Sequence, residues 1–209
     1  MIAIINYGVG NLFSLVGSLE HLGINAVVTS DADVIRKADR IILPGVGAFA
    51  DAKQKLVDTG LIPVITEEVK NGKPLLGICL GMQLLFEKSY EYGEHDGLGY
   101  IKGSVCPLNE DIRKDLKVPH IGWNKLIIKD KSNPMLKYTG DNDYVYYVHS
   151  FYAKDCDDSL VAYSEYDVNV PGLVCKDNIF GAQFHPEKSG QVGLDMLKAF
   201  NEVTAYFPQ

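Results

Sequence analysis

Residues 75–86 have the sequence LLGICLGMQLLF, in which one apolar run ends at Ile78 and a second, with helical spacing, begins after Cys79. This change from strand to helix is the repeating unit of parallel α/β sheets. Gly77 and Gly81 lie two residues to either side of Cys79 and allow the backbone to turn sharply there. The segment therefore predicts a strand, a tight turn and a helix, with Cys79 at the edge of the sheet.

The rest of the first half alternates strands and helices in the same way. Four predicted strands lie at apolar runs, residues 2–5, 24–29, 40–43 and 74–78. Leucines recur at helical spacing between Asn11, placed as an N-cap, and Gly23, placed as a helix stop. A further helical stretch has Pro63 near its start. Continuous apolar strands separated by helices are typical of a parallel sheet that is covered on both faces.

The second half is richer in short β runs, which lie at residues 126–128, 144–152, 160–163, 173–176 and 179–183. The last two flank Asp177-Asn178, a two-residue hairpin signal. A final helix is predicted from about Ser189, with Val192 and Phe200 on its apolar face. We therefore predict an α/β fold over residues 1–209 as a single domain. Its central sheet is mainly parallel and flanked by helices, and antiparallel strands are added in the C-terminal half.

Composition excludes several classes of protein. The chain has 20 Lys and Arg against 27 Asp and Glu, a net charge of −7, which argues against a nucleic-acid partner. The first residues lack a basic segment, and no apolar run is long enough to span a membrane. Four dispersed cysteines form no Cys-x-x-Cys pair, and no metal-ligand cluster or phosphate-binding loop is present. We expect a soluble, cytoplasmic protein that uses no metal or cofactor.

Cys79 is the first candidate for chemistry. The positive end of the following helix would favour its thiolate, the form that acts as a nucleophile. Ligands also bind at the carboxyl ends of strands in open α/β sheets. Taken alone, however, the cysteine leaves a buried structural residue in a glycine-rich turn equally open.

A thiolate nucleophile needs a base, and the base needs a group that orients it. His185 and Glu187 lie two residues apart after a predicted strand, so on an extended backbone their side chains share a face. Pro186 favours that extended conformation at His185. Glu187 can then accept a hydrogen bond from one imidazole nitrogen while the other faces the cysteine. Together with Cys79, these residues predict a nucleophilic triad.

A third element is the turn that follows the predicted strand at residues 40–43. Gly45, Val46 and Gly47 can point their N–H groups inward, as an oxyanion hole requires, and the amide of Leu80 would complete it. A Pro-Gly-x-Gly turn taken by itself is better explained as a plain loop.

The segments GICLGMQ at residues 77–83 and FHPE at residues 184–187 resemble the class I (triad) glutamine amidotransferases, which have a flavodoxin-like fold. The resemblance implies that Cys79, His185 and Glu187 hydrolyse the side-chain amide of L-glutamine through a γ-glutamyl thioester. It also implies that the substrate is held by residues in three segments, namely Gly45, Val46, Gly47, Leu80, Gln83, Ser150 and Phe151.

Four further motifs narrow the resemblance to glutaminase subunits of histidine biosynthesis. They are NYGVGNL at residues 6–12, PHIGWN at 119–124, YYVHSF at 146–151 and HPEKSG at 185–190. Such subunits pass ammonia to a separate (β/α)8 cyclase subunit, so the resemblance implies a heterodimer. We expect the partner interface to include Asn11, Trp123, Asn124, Tyr147 and Lys188. For Trp123, a place in the core is equally open.

Two other functions remain open. Related glutaminases serve amidation in surface-sugar synthesis, so the partner is not fixed by these motifs. A non-catalytic paralogue that only binds a partner is a further alternative, although such a protein would be free to lose Cys79, His185 or Glu187. Cysteine peptidases and stress proteins with a similar elbow lack the His-x-Glu pair combined with Gln83.

Overall fold

An eight-stranded sheet crosses the molecule in the computed structural model, which describes residues 1–204. The helices are α1 (Leu12–His21), α2 (Ala32–Lys37), α3 (Phe49–Asp58), α4 (Ile62–Lys70), α5 (Leu80–Leu84) and α6 (Gly190–Glu202). The strands are β1 (Ile2–Ile5), β2 (Ala26–Thr29), β3 (Arg40–Leu43), β4 (Leu75–Ile78), β5 (Phe86–Ser89), β6 (His95–Asp96), β7 (Ile101–Pro107), β8 (His120–Lys125), β9 (Ile127–Ile128), β10 (Tyr144–His149), β11 (Phe151–Lys154), β12 (Leu160–Tyr166), β13 (Val168–Lys176) and β14 (Ile179–Ala182).

The central sheet has the strand order β2-β1-β3-β4-β14-β13-β12-β9. Strands β2 to β14 in this order are parallel, whereas β13, β12 and β9 continue the sheet in antiparallel pairing. The hairpin between β13 and β14 turns at Asp177, which has a φ of 54°. This arrangement confirms the predicted fold class, a mainly parallel sheet extended by antiparallel strands.

Two smaller sheets lie beside the central one. Strands β8 and β10 pair with each other, and β11, β7, β5 and β6 form a four-stranded sheet. The β run predicted over residues 144–152 is divided between two strands, β10 and β11. The chain leaves the first small sheet after His149 and enters the second at Phe151, so Ser150 lies at a change of partner strand.

The core lies on both faces of the parallel sheet, because the inner strands β1, β3, β4 and β14 are buried on two sides. Ile2 and Ile4 of β1 pack in one cluster with α1 and α6 residues. Ala3 and Ile5 point the other way and pack with Phe49 of α3. Helix α1 begins after Asn11 and ends before Gly23, as predicted, but the Asn11 side chain bonds Ser14 Oγ rather than a backbone N–H of the helix.

Strand order decides which segments meet at the site. Leu43 at the end of β3 lies opposite Gly77 of β4, and Ile78 of β4 lies opposite Ala182 of β14. Because these strands are parallel and adjacent, the segments that follow them emerge at the same edge of the sheet. Those segments are residues 44–47, Cys79 with α5, and residues 183–188.

None of the helices described over residues 1–204 combines the length and the apolar composition that a membrane span requires. The extent of the single predicted domain, residues 1–209, stays a prediction, and its last five residues lie outside the described part of the chain.

Candidate active site

Cys79 occupies a strained turn between β4 and α5. Its φ of 55° and ψ of −112° lie outside the regions that residues with a side chain usually adopt. Glycine is required on both sides of Cys79. A Cβ on Gly77 would lie 2.6 Å from the Gly81 carbonyl oxygen, and a Cβ on Gly81 would lie 1.9 Å from the Leu43 carbonyl oxygen. The predicted sharp turn is therefore present. The helix after it is shorter than expected, since α5 ends at Leu84 and the chain enters β5 at Phe86.

His185 follows β14 and is fixed by hydrogen bonds at both ends of its backbone. Its N–H donates to the Tyr146 carbonyl at 2.9 Å, and its own carbonyl accepts from Ser189 Oγ at 2.6 Å. Its backbone is extended, with φ of −97° and ψ of 100°. Glu187 does not continue the extended chain, because residues Pro186–Lys188 form a 3-10 turn. The predicted pairing arises from this turn instead, which brings Glu187 Oε1 to 2.7 Å from His185 Nδ1.

The imidazole of His185 lies between two groups that favour its charged form. Burial disfavours the charge, but the neighbouring side chains of Cys79 and Glu187 outweigh it and raise the pKa of His185 to about 9. Both side chains of the His185–Glu187 pair are almost fully buried. The second ring nitrogen, Nε2, makes no hydrogen bond within residues 1–204 and remains for the cysteine or a substrate. At neutral pH His185 therefore holds a proton that it can donate.

The turn after β3 approaches the residues that follow Cys79. A Cβ on Gly45 would lie 2.8 Å from the Gly81 nitrogen and 3.0 Å from Leu80 Cβ. Gly47 has a φ of 96° and open space beside it, and Val46 is exposed. The structure thus brings together the four residues predicted for an oxyanion hole, with Gly45 buried behind the others.

A cleft of about 390 Å³ opens in front of these groups. Its walls contain most of the residues predicted to act on or bind a substrate, together with several that sequence did not single out. They are Val46, Gly47, Cys79, Leu80, Gln83, Glu91, Tyr92, Pro119, Val148, His149, Ser150, Phe151, His185 and Lys188. Glu187 lies behind His185 and does not line the cleft.

Gln83 connects two walls of the cleft. Its side-chain nitrogen donates to the Phe151 carbonyl and to Gln183 Oε1, both at 3.0 Å. Gln183 in turn approaches Cys79 Sγ with its own nitrogen at 3.8 Å. Sequence reasoning missed Gln183, although its position two residues before His185 at the end of a strand was a usable signal.

Glu91 and Tyr92 were also missed. Both lie in the turn between β5 and β6, and Glu91 Oε2 accepts a hydrogen bond from the Phe49 N–H at 2.7 Å. Burial raises the pKa of the Glu91 carboxyl, opposed by that hydrogen bond. Tyr92 stands exposed at the rim, with its ring edge-on to Phe151. No motif surrounds these two residues, so only the fold brings them to the cleft.

His149 lines the cleft and forms a buried pair with His120. Its Nε2 lies 3.0 Å from His120 Nδ1, and its Nδ1 lies 2.9 Å from the Phe151 carbonyl oxygen. Burial, reinforced by His120, lowers the pKa of His149 to about 3. A neutral ring donates from Nδ1 to Phe151 and accepts from His120, which fixes the turn at Ser150.

The predicted interface residues divide into two groups. Trp123 is 54% exposed, Lys188 is exposed beside the cleft, and Asn11 and Asn124 are partly exposed. Tyr147 is fully buried and its hydroxyl lies 2.8 Å from Ser164 Oγ. Its assignment to a partner face is therefore wrong, because a side chain enclosed by this chain's own core has no surface to offer.

Comparison with known proteins agrees with this geometry. The family model described as glutamine amidotransferase class-I matches residues 3–203. A protein of Caldanaerobacter subterraneus named imidazole glycerol phosphate synthase subunit HisH is 50% identical over 204 residues, 97% of this chain and 98% of its own. A protein of Listeria monocytogenes with the same name is 50% identical, over 98% and 96% of the two chains. The solved structure of PurLQS from Thermotoga maritima is similar in fold, with a TM-score of 0.74 at 21% identity and 96% of each chain covered.

Proposed function

This chain belongs to the glutamine amidotransferase class-I family, and on that basis we propose that it is the glutaminase subunit of an imidazole glycerol phosphate synthase. Three relatives that are named as the HisH subunit of this synthase match 96–98% of the chain at 50% identity. One observation about the site carries the chemistry. Cys79 lies in a strained turn at a cleft, beside a histidine whose Nδ1 is 2.7 Å from a buried carboxylate.

In the first half of the reaction, the sulfur of Cys79 attacks the side-chain carbonyl carbon of glutamine as a thiolate. A C–S bond forms and the carbonyl π electrons move to oxygen, where the amide of Leu80 and one from the turn at residues 45–47 stabilise the charge. His185 gives its Nε2 proton to the amide nitrogen. The C–N bond then breaks, so that ammonia leaves and a γ-glutamyl thioester remains.

In the second half, His185 is neutral because it has lost its proton to the leaving ammonia. Water adds to the thioester and gives a proton to this neutral imidazole. The C–S bond breaks, glutamate is released and the thiolate of Cys79 is restored beside the imidazolium. Glu187 keeps His185 in one orientation throughout, because its Oε1 occupies Nδ1 and leaves Nε2 for the reacting atoms.

Glutamine recognition is assigned to groups on two walls of the cleft. The carboxylate of Glu91 is the negative group that suits the substrate's α-ammonium. Ser150 and Phe151 lie at the turn that suits backbone contacts with the amino-acid head group, and Gln83 holds that turn through the Phe151 carbonyl. In this arrangement the amide end of the substrate points toward Cys79.

Ammonia released into water at neutral pH becomes ammonium, which is not a nucleophile, so a glutaminase of this kind needs an acceptor docked on its site. We assign that role to a (β/α)8 cyclase subunit, in a heterodimer that forms imidazole glycerol phosphate and aminoimidazole carboxamide ribonucleotide. Asn11, Trp123, Asn124 and Lys188 carry the proposed interface, and Lys188 suits a carboxylate of the partner. A chain with this biosynthetic role belongs in the cytoplasm.

The test is glutamine hydrolysis by the purified chain, alone and with a histidine-pathway cyclase plus its ribonucleotide ligand. Strong stimulation by the cyclase and ligand is expected. If Cys79 still reacts with a glutamine-like electrophile but no stimulation occurs, the glutaminase chemistry stands and the partner is another synthase. If neither hydrolysis nor labelling occurs, the proposed function is wrong.

A further inference from the structure

Tyr7 is a buried polar residue beside the candidate oxyanion turn at residues 45–47. No step of the proposed reaction uses its side chain. It follows β1, which pairs in parallel with β3, so it emerges at the same edge of the sheet as Pro44. The side chain is 4% exposed. Its hydroxyl donates a hydrogen bond to the Pro44 carbonyl at 2.5 Å. The phenol therefore ends at the residue that opens the turn.

The same hydroxyl limits the space around the next residue. A Cβ on Gly45 would lie 2.9 Å from Tyr7 Oη on one side and 2.8 Å from the Gly81 nitrogen on the other. Gly45 is thus enclosed between the phenol and the backbone that follows Cys79. A Cβ on Gly10 would also lie 3.2 Å from the Pro44 ring, so the chain after Tyr7 packs on the outer side of the turn.

This contact fixes one end of the turn and leaves the other end free. A peptide unit is planar, so holding the Pro44 carbonyl also sets the direction of the Gly45 N–H. The amides of Gly45, Val46 and Gly47 donate no hydrogen bond within residues 1–204. Val46 and Gly47 line the cleft, so their amides are available to a developing negative charge, but no hydrogen bond of their own determines where they point.

We propose that Tyr7 is a positioning residue, which holds the turn at residues 45–47 so that its amide reaches the oxyanion formed at Cys79. This inference rests on the proposed glutaminase function. It assigns Tyr7 an effect on the transition state and not on glutamine binding, because the oxyanion exists only after attack by the sulfur. Burial, together with Cys79, raises the pKa of Tyr7, so the phenol remains a donor throughout the pH range of an assay.

The experiment compares Tyr7→Phe with wild type in the complete complex with the cyclase. We expect kcat for glutamine to fall about tenfold or more, because one missing oxyanion donor costs an enzyme about 100-fold, while KM stays near its wild-type value. A second measurement uses the aldehyde analogue of glutamine. The thiol of Cys79 adds across the C=O bond of this compound, so that the sulfur bonds to the carbon and the proton goes to the oxygen. Its affinity should fall by the same factor as kcat. Tyr100→Phe is the matched control, because its hydroxyl bonds Thr66 at 2.6 Å, away from the cleft.

The outcomes separate this inference from the proposed function. No glutamine hydrolysis by the wild-type complex refutes the proposed function. Wild-type hydrolysis with an unchanged kcat in Tyr7→Phe, or a change in KM alone, refutes the role of Tyr7. If Tyr7→Phe does not fold, 3-fluorotyrosine at position 7 keeps the ring and hydroxyl but strengthens the donor. The enzyme labelled at position 7 should then differ from wild type in kcat, whereas the enzyme labelled at position 100 should keep the wild-type kcat. Equal kcat values for the two labelled enzymes overturn the proposal.

Discussion

Replacing Glu187 by Gln keeps the size of the side chain but removes the charge that faces His185. The carboxylate oxygen lies 2.7 Å from His185 Nδ1, and the two side chains are 3% and 2% exposed, so water screens the pair very little. The pKa of His185 lies at about 9 instead of 6.5. That rise corresponds to roughly 3 kcal/mol of stabilisation of the protonated native state.

Cys79 and Glu187 both raise this pKa, so Glu187→Gln removes only part of the stabilisation, about 1–2 kcal/mol. Because the folded pKa lies above the unfolded one, the stabilisation is complete below pH 6.5 and is lost as the pH rises through 9. The variant should therefore be less stable than wild type at pH 6 and nearly equal to it at pH 10. Both proteins keep Cys79, so the difference between their curves belongs to Glu187.

The assay is urea unfolding of the two proteins at intervals between pH 6 and pH 10, together with glutaminase rates in the cyclase complex. The rate should fall about 100-fold or more, as expected when a triad loses its orienting charge. The glutaminase rate that remains in the variant should fall off, above its optimum, at a lower pH than in wild type. Glu202→Gln, which breaks an ion pair with Lys137 at the surface, is the control and should show neither effect. A stability difference that is the same at pH 6 and pH 10 would show that Glu187 does not raise the pKa of His185.

Three further predictions concern Gln83, the turn at Cys79 and the proposed partner interface. Gln83→Ala should raise KM for glutamine more than it lowers kcat, since its side chain holds a cleft wall, and an unchanged KM would contradict this. Gly81→Ala should destabilise the protein by several kcal/mol and abolish hydrolysis, because its Cβ would meet the Leu43 carbonyl at 1.9 Å. Gly17→Ala, in open space within α1, should instead stabilise by about 0.5–1 kcal/mol, and equal melting temperatures for the two would be inconsistent with the structure. Trp123→Ala should weaken cyclase binding by about 2 kcal/mol or more, measured by calorimetry, and an unchanged affinity would remove Trp123 from the interface.

The parallel half of the fold was predictable because its inner strands are buried on both faces and are therefore almost entirely apolar. Strands β1 and β3 begin and end at the predicted residues. The small sheet containing β5 and β6 was not predicted. Its strands FEKS and HD are short and contain few apolar residues; β5 pairs with β7, and β6 pairs with β5. Local sequence does not show which distant strand a polar segment will pair with.

The break at Ser150 shows the same limit. Residues 144–152 have continuous β propensity, yet the chain changes its partner from β8 to β7 at that point. Alternation within β10 did contain information about Tyr147. Val145, Tyr147 and His149 point inward together, so a period of two would have placed Tyr147 in the core once its neighbours were known to be buried.

Residues of the site were predictable where a local motif carries them, as for Cys79 and His185. Glu91, His149 and Gln183 come from three separate elements, and each acts through a contact made only in the folded chain. Their roles depend on strand order and on the path of the turns, which no local pattern specifies. Function here thus follows from a recognisable motif, whereas the shape of the substrate cleft follows from the fold.

We propose that Cys79 is the sole nucleophile of a glutaminase that feeds a synthase. The most direct test measures glutamine-dependent and ammonia-dependent synthesis by the same cyclase complex, with wild type and with Cys79→Ala. Cys79→Ala should lose glutamine-dependent synthesis completely and keep ammonia-dependent synthesis at the wild-type rate. Glutamine-dependent synthesis that survives in Cys79→Ala would show that another group acts as the nucleophile.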